Sequence, residues 1–368
     1  QQKHTFLKVS HSQPMQDIAD EMFETCLKCF KPKTIQKRKE KIAKAFSLVA
    51  NTDEEEMRKL NKIDKAYQYG FPKFKKKLEQ KDSIYYPQGF KIRKNFVFFP
   101  KIGWIKFNKH RPIEGQVKTI TAVQDGNQWF VSIVCEKVFP NPMKIKNIDD
   151  LKITAIDIGT KTKVVTSNGE FFENPKIQEK FQGKIGSLTK KLSKKLFIVQ
   201  EKEINGRKMK VSSHNREKAL VKLQKITRKV KNVREDANRK LANHITATCD
   251  VVIRECLDVK DMVKVENSSL PAYMCKKAKK SLRRNILDVA PSSFYKKIED
   301  CCRRGGKYIM ELDQYFASTQ TCSICGRRKT DNAKLTLKDR YYVCPHCGNV
   351  MDRDLNATLS MKKEGIRC

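Results

Sequence analysis

Cys322, Cys325, Cys344 and Cys347 stand as two CxxC pairs, TCSICG and VCPHCG, with eighteen residues between them. A CxxC knuckle turns two thiolates toward one metal, and four sulfurs close a tetrahedral Zn²⁺ site with no position left for water. The spacing is that of a zinc ribbon, a structural metal site, with a redox or iron–sulfur site as the competing reading. His346 lies inside the second knuckle and, beside four thiolates, is expected to be a solvated filler. Cys26 and Cys29 form a further CxxC with no second pair near them. Both fall on the apolar face of a predicted helix, so core packing is expected of them. Most of the remaining cysteines are scattered singly in a long chain without a secretory signal, which predicts reduced thiols and no disulfide framework.

Three acids stand where strands end or helices begin. Asp157 closes TAIDIG, Glu255 closes DVVIRE, and Asp354 lies in MDRDLNAT, which opens the final helix. Roughly 100 residues separate each from the next, too far for a local loop site, so only the fold can bring them together. Carboxylates are hard ligands that suit Mg²⁺, and three of them repel one another unless divalent cations lie between them. Two Mg²⁺ bridged by such acids activate a water and stabilise the leaving 3′ oxygen of an in-line phosphoryl displacement, the chemistry of a nuclease. The blander role of each acid is a helix cap or the partner of a basic side chain. Glu266 in KVENSSL and Asp352 compete on composition, and spacing does not decide among them.

The elements that must position these groups follow from periodicity. Residues 14–80 place apolar side chains three and four apart, as in Ile18, Met22, Cys26, Cys29 and Phe30, predicting a basic helical region. From Ser83 to Val138 short aromatic and β-branched stretches (FVFFP, GWIKF, VKTITAV, QWFVSIV) predict a small sheet or barrel, with Asp125 to Asn127 as a hairpin turn. Pro140 to Asp150 reads as a linker. LKITAIDIG and KVVTSNGEFF then resemble the start of an α/β domain. Over residues 212–245, Leu220, Leu223, Ile226, Val230, Val233, Ala237, Leu241 and Ile245 predict one long amphipathic helix or two, basic on the outer face. The strand CDVVIRE, a Lys/Arg-rich segment at Lys276 to Arg284, a helix at Phe294 to Arg303 and the strand KYIMEL follow.

The chain has 368 residues, enough for two to three domains of about 150 residues, and its 78 Lys and Arg against 41 Asp and Glu leave a net charge of +37. A field this positive draws polyanions and releases counterions on neutralising phosphates, so a nucleic acid is the expected partner. No run of 18 apolar residues occurs, and the opening QQKHTFLKVS has neither a signal-peptide core nor an initiating Met. A soluble intracellular protein whose natural N-terminus lies upstream is expected, with no membrane partner.

TAIDIGTKTKVVTSNG, VVIRECLDVKDMVK, QYFASTQTCSICG and YVCPHCGNVMDRDLNAT resemble the consecutive RuvC-like nuclease motifs of the transposon-encoded TnpB family, with its inserted zinc ribbon. Fanzor proteins and compact type V CRISPR effectors are that family's relatives. Its first motif, an Asp after a strand and before Gly, matches Asp157. Its second, a Glu before Leu-x-Val-x-x-Met, matches Glu255 in place of Glu266. Its third, the Asp two residues before the Asn of Arg-Asp-x-Asn-Ala, matches Asp354 in place of Asp352. Upstream, FLKVSHSQPMQDIADEMFETCLKCF and YGFPKFKKK resemble the family's helical recognition region, and FPKIGWIKFNKHRPIEGQVKTIT its wedge barrel.

The resemblance implies an α/β multidomain protein. Its parts would be a helical recognition region (1–80), a small wedge-like β-barrel (81–147), an RNase H-like RuvC nuclease domain (148–320 and 349–368) and a zinc ribbon (321–348) inserted in it. It implies an RNA-guided, Mg²⁺-dependent DNA endonuclease with two catalytic ions on Asp157, Glu255 and Asp354 and structural Zn²⁺. Its partners would be a guide RNA from the transposon end and a double-stranded target DNA cut beside a short adjacent motif. A bacterial member would be cytoplasmic, and a eukaryotic or viral one nuclear. A basic channel would hold the heteroduplex by shape and backbone charge. Candidate contacts are Lys73, Lys75, Lys76, Lys77, Lys190, Lys191, Arg228, Lys229, Lys231 and Arg234, each of which also fits a solvated helix face. Tyr69, Phe71 and Trp104 are aromatics for stacking or for core. Two other functions use related scaffolds: a nuclease-silent guided DNA-binding or transposon accessory protein, and a three-acid transposase. All three motif acids are present, which favours the enzyme over the first. The ribbon between Glu255 and Asp354, with the wedge-like barrel, argues against the second.

Overall fold

The computed structural model describes residues 11–47, 83–142, 144–145, 147–194, 200–204, 207–211, 213–263, 276–330, 334–336 and 339–368. The chain divides into two compact units, Gln1–Val138 and Phe139–Cys368.

The first unit opens with helices α1 (Ser12–Cys29) and α2 (Pro32–Ser47). The His11 side chain caps α1 by accepting a hydrogen bond from the Gln13 amide at 3.3 Å. No residue of α1 is buried, and Ile18, Met22, Phe23 and Leu27 are exposed. Cys26 and Cys29 are only half-buried, so the core packing expected of that pair is corrected. Among the described residues its hydrogen bond and ring contact toward the strands lie at its first turn, where Gln13 meets Gln88 at 3.0 Å and the His11 ring lies 6.0 Å from Tyr86, and no described core residue packs at the cysteine end.

Where a small barrel is expected, six strands pair as two antiparallel sheets: β1 (Ser83–Tyr86), β5 (Gln116–Asp125) and β6 (Gln128–Glu136) in the order β1-β5-β6, and β2 (Lys91–Arg93), β3 (Phe96–Phe99) and β4 (Gly103–Lys106) in the order β2-β3-β4. They share one core of Tyr86, Val97, Phe99 and Ile120. Asp125 pairs with Gln128 across the two-residue turn, where Gly126 takes the left-handed conformation at φ +65° that such a tight hairpin demands.

The second unit is built on a five-stranded mixed sheet. Its strands are β7 (Ile153–Asp157), β8 (Thr162–Thr166), β9 (Phe171–Glu173), β12 (Val251–Arg254) and β13 (Tyr308–Glu311), in the order β13-β12-β7-β8-β9. β7, β12 and β13 are parallel, and β8 and β9 return antiparallel. Helix α3 (Ile177–Lys194) and the hairpin β10 (Gln200–Ile204) and β11 (Arg207–Val211) precede α4 (His214–Ala247), one helix of 34 residues. α5 (Val259–Val263), α6 (Lys276–Val289) and α7 (Pro291–Gly305) lie between β12 and β13. After β13 come a 3₁₀ turn at Ser318–Gln320, the short hairpin β14 (Tyr341–Val343) and β15 (Val350–Asp352), and the closing helix α8 (Arg353–Arg367).

Helices cover both faces of the sheet, which is why its parallel strands read as nearly continuous apolar runs rather than as alternation. Ile156, Val164 and Val252 pack on one face against Ala242 and Ile245 of α4 and Phe294, Ile298 and Cys302 of α7. On the other face Ile153, Ala155, Val251 and Ile253 meet Met361 of α8. Phe294 is fully buried at the centre of the first cluster. Phe294→Ala is expected to cost about 3–5 kcal/mol of stability, seen as a lower denaturant midpoint in urea unfolding.

Candidate active site and metal centre

The register of the sheet brings two of the acids together. Arg254 pairs with Ile156 on parallel strands, so Glu255 and Asp157 are the next residues on neighbouring chains about 4.8 Å apart. By strand alternation they project on the face of Ile153, Ala155, Val251 and Ile253, the face that α8 covers. Asp354 sits in the first turn of α8 and is the third acid near Asp157. Gly159, just past Asp157, turns the chain back: a Cβ there would meet the Thr162 carbonyl oxygen at 2.6 Å.

The cluster is electrostatically tense. Burial first, then the charges of Glu255 and Asp354, push the Asp157 carboxyl up to about 7, against the pull of the Ile158 amide and Arg353. Burial also raises Glu255, opposed by the hydroxyl of Ser318, which donates to its Oε1. Arg353 places Nε and Nη2 on Asp354 Oδ1, both at 3.0 Å. Half-buried acids, two of which raise the proton affinity of the third and which offer only oxygen donors, are a set suited to hard divalent cations. Tyr295 of α7 is 6 % exposed, and its hydroxyl has no hydrogen-bond partner among the described residues. Burial, then the charges of Glu255 and Asp157, raises its pKa. Arg254 lies 4.6 Å over the Tyr295 ring and pairs with Glu299 at 2.9 Å and Glu311 at 2.6 Å.

Asp352 is used otherwise. Its Oδ1 accepts from the amides of Asp354 at 2.9 Å and Leu355 at 3.1 Å, the N-cap role that satisfies the first free amides of α8. Glu266 lies outside the described residues.

The sulfur atoms of Cys322, Cys325, Cys344 and Cys347 lie within 4.8 Å of one another. Cys322 to Cys347 is 3.7 Å and Cys325 to Cys344 is 3.6 Å. Four ligands at about 2.3 Å around a tetrahedral Zn²⁺ would stand about 3.8 Å apart, so the donor set fits zinc. Cys322 and Cys344 are buried with Tyr342, and Leu335 and Met351 pack against them. His346 is exposed, with Nδ1 3.2 Å from the Arg327 guanidinium, outside the sulfur cluster.

The basic candidates are dispersed. Lys190 and Lys191 are exposed on α3, and Lys231 is exposed on α4. Arg228 is half-buried. Lys229 reaches over the Phe181 ring at 5.8 Å, and Arg234 donates to the Leu287 carbonyl at 2.9 Å, so both also tie α4 to neighbouring helices. Trp104 is half-exposed against Phe98 at 5.4 Å. Lys73, Lys75, Lys76, Lys77, Tyr69 and Phe71 lie outside the described residues. Among the described residues no helix is long and apolar enough to cross a membrane.

Ser318, with Tyr295, is what the sequence reading passed over near the acids. Ser318 lies in FASTQT, where nothing but its place just before the first knuckle marked it.

A multidomain α/β protein with convergent acids at a sheet end and a four-thiol module before its last helix is thus the class to which comparison applies. Residues 292–361, from α7 through the module into α8, match the family model "Cas12f1-like, TNB domain". The chain is 27% identical over 304 residues to InsQ of Escherichia coli (strain K12), provisionally named an RNA-guided DNA endonuclease, covering 80% of this chain and 68% of that protein. It is 29% identical over 168 residues to the TnpB-like protein L79 of Acanthamoeba polyphaga mimivirus, covering 45% of this chain and 29% of that one. A cryo-EM structure of a Cas12f1–sgRNA–target DNA complex aligns with 16% identity and a TM-score of 0.42, over 76% of this chain and 59% of that one. The chain thus spans about two thirds of InsQ and under a third of L79. The resemblance to the TnpB family is borne out by the family-model match and the two sequence relatives.

Proposed function

We propose that the chain acts as an RNA-guided DNA endonuclease that cleaves target DNA beside a short adjacent motif. The observation that carries the proposal is the convergence of Asp157, Glu255 and Asp354, roughly 100 residues apart in sequence, at one end of the sheet. The strand order, with an antiparallel hairpin on one side of β7 and parallel β12 and β13 on the other, supports an RNase H-like RuvC reading. The two sheets over residues 83–136 stand where the wedge-like barrel is expected. Asp157, Glu255 and Asp354 are the residues that would hold two Mg²⁺, which supply an activated water and a stabilised 3′ leaving oxygen. The four cysteines would hold Zn²⁺ as a structural ion. The names of the curated relatives and the net charge of +37 support a guide RNA and a DNA target as partners, the heteroduplex being gripped through its phosphates.

The test is to express the gene with several hundred base pairs of its native flanks, purify the protein and sequence the RNA that survives a high-salt wash. One defined RNA mapping to the flank is the expected result, and supplies the guide for cleavage assays. A random mixture would overturn the guided reading and favour an accessory DNA-binding protein or a transposase. Strand-joined product would identify the latter.

A further inference from the structure

Three side chains tie the four-thiol module to two of the acids. Ser318, 3 % exposed, lies in the 3₁₀ turn just before Cys322 and donates its hydroxyl to Glu255 Oε1. Asn356, fully buried on α8, brackets the first knuckle: Nδ2 donates to the Thr321 carbonyl at 2.7 Å, and Oδ1 accepts from the Ser323 amide at 2.9 Å. Asn356 sits two residues after Asp354 on the same helix. Arg353 holds Asp354 Oδ1 through Nε and Nη2 while Nη1 donates at 3.0 Å to the Asp339 carbonyl, in the stretch leading to the second knuckle.

We infer that the four-cysteine module is a positioning device for the acid site, with Ser318, Arg353 and Asn356 as positioning residues that fix Glu255 and Asp354 to the module. Like-charged carboxylates drift apart unless something holds them, and neither acid is held by the sheet ladder alone. Glu255 stands one residue past the end of β12, and Asp354 stands at a helix start that follows directly on β15 of the module. The two peptide groups that flank Cys322 both bond to Asn356, so a shift of that knuckle moves the first turn of α8. Hydrogen bonds to groups that orient metal ligands typically change metal affinity by about 10–100-fold when lost. A metal held by the four thiols would thus fix the divalent-binding geometry of the carboxylates through Ser318, Arg353 and Asn356.

The inference rests on the reading of Asp157, Glu255 and Asp354 as divalent ligands. Its test measures Mg²⁺ binding calorimetrically on the intact chain with its co-purified RNA, alongside zinc content and the Mg²⁺ dependence of cleavage. Ser318→Ala is expected to weaken Mg²⁺ binding by about tenfold and to raise the Mg²⁺ needed for half-maximal cutting, with zinc content unchanged. Ser318→Thr, which keeps the hydroxyl, is expected to restore both. Asn356→Ala and removal of zinc by a thiol-competing chelator are expected to weaken Mg²⁺ binding in the same way. Wild-type Mg²⁺ binding in Ser318→Ala, or in zinc-stripped protein that remains folded by circular dichroism, would overturn the inference while leaving the acid site intact. Absence from the wild-type protein of any Mg²⁺ binding that Asp157→Asn abolishes would overturn the divalent reading, and the inference with it.

Discussion

Asp157→Asn is expected to abolish DNA cutting while making the divalent-free protein more stable above neutral pH. The two halves have one cause. Asp157 is half-buried near Glu255 and Asp354, and its carboxyl is pushed up to about 7 by desolvation and by those charges. An acid whose folded pKa is raised binds its proton more tightly folded than unfolded. Its contribution is therefore most favourable below the unfolded value of about 3.9 and is lost as pH rises toward about 7. An asparagine of nearly the same shape carries no charge and suffers no such loss. In chelator at pH 8 the variant is expected to exceed wild type by a few kcal/mol at most, since about three pKa units correspond to about 4 kcal/mol. Near pH 4 the two should converge. Thermal unfolding over pH 4–8, with and without Mg²⁺, checks it: Mg²⁺ is expected to raise the wild-type midpoint and to do less for the variant. Removing a transition-state ligand should cut turnover by orders of magnitude while guide binding stays near wild type. A variant that still cuts would remove Asp157 from the site.

How much of this was legible in the sequence depended on whether the signal was local. The four-thiol cluster was, because CxxC spacing fixes two thiolates on one turn wherever the knuckle sits. The strands ending at Asp157 and Glu255 were too, being short β-branched runs buried on both faces. The long helix α4 followed from its apolar repeat. Helix α3 was passed over even though Ile177, Phe181, Ile185 and Leu188 keep helical spacing, because Gly183 and Gly186 interrupt it and lower its intrinsic propensity. The periodicity of α1 specifies a helix, but a repeat says only that one face is apolar, not that anything covers it. Between Asp352 and Asp354, composition and separation were silent. The structure separates them by local chemistry, one oxygen atom capping two amides and the other acid facing Asp157. Ser318 left no trace in spacing, since its contact with Glu255 spans 63 residues and exists only once the sheet and module are built.

Cys322→Ser is expected to act through folding where Asp157→Asn acts through chemistry. The module has a small apolar core: Tyr342, Leu335 and Met351 around Cys322 and Cys344, too little to hold a loop-rich segment closed without a metal. In such modules the metal-binding free energy is the folding free energy, about 10–16 kcal/mol for isolated zinc-finger peptides. Serine offers a hydroxyl that stays protonated at neutral pH and binds zinc far more weakly than a thiolate. His346, turned toward Arg327, does not replace it. Zinc content is therefore expected to fall well below one ion per chain, and limited proteolysis to open new cleavage sites between residues 321 and 348. Soluble yield should drop before the specific activity of the zinc-loaded fraction does. The unfolding should also spread into α8, because Asn356 loses the backbone partners that flank Cys322. Unchanged protease resistance in a Cys322→Ser protein that holds no zinc would show that the cysteines are packing groups and that the module folds by its apolar core alone.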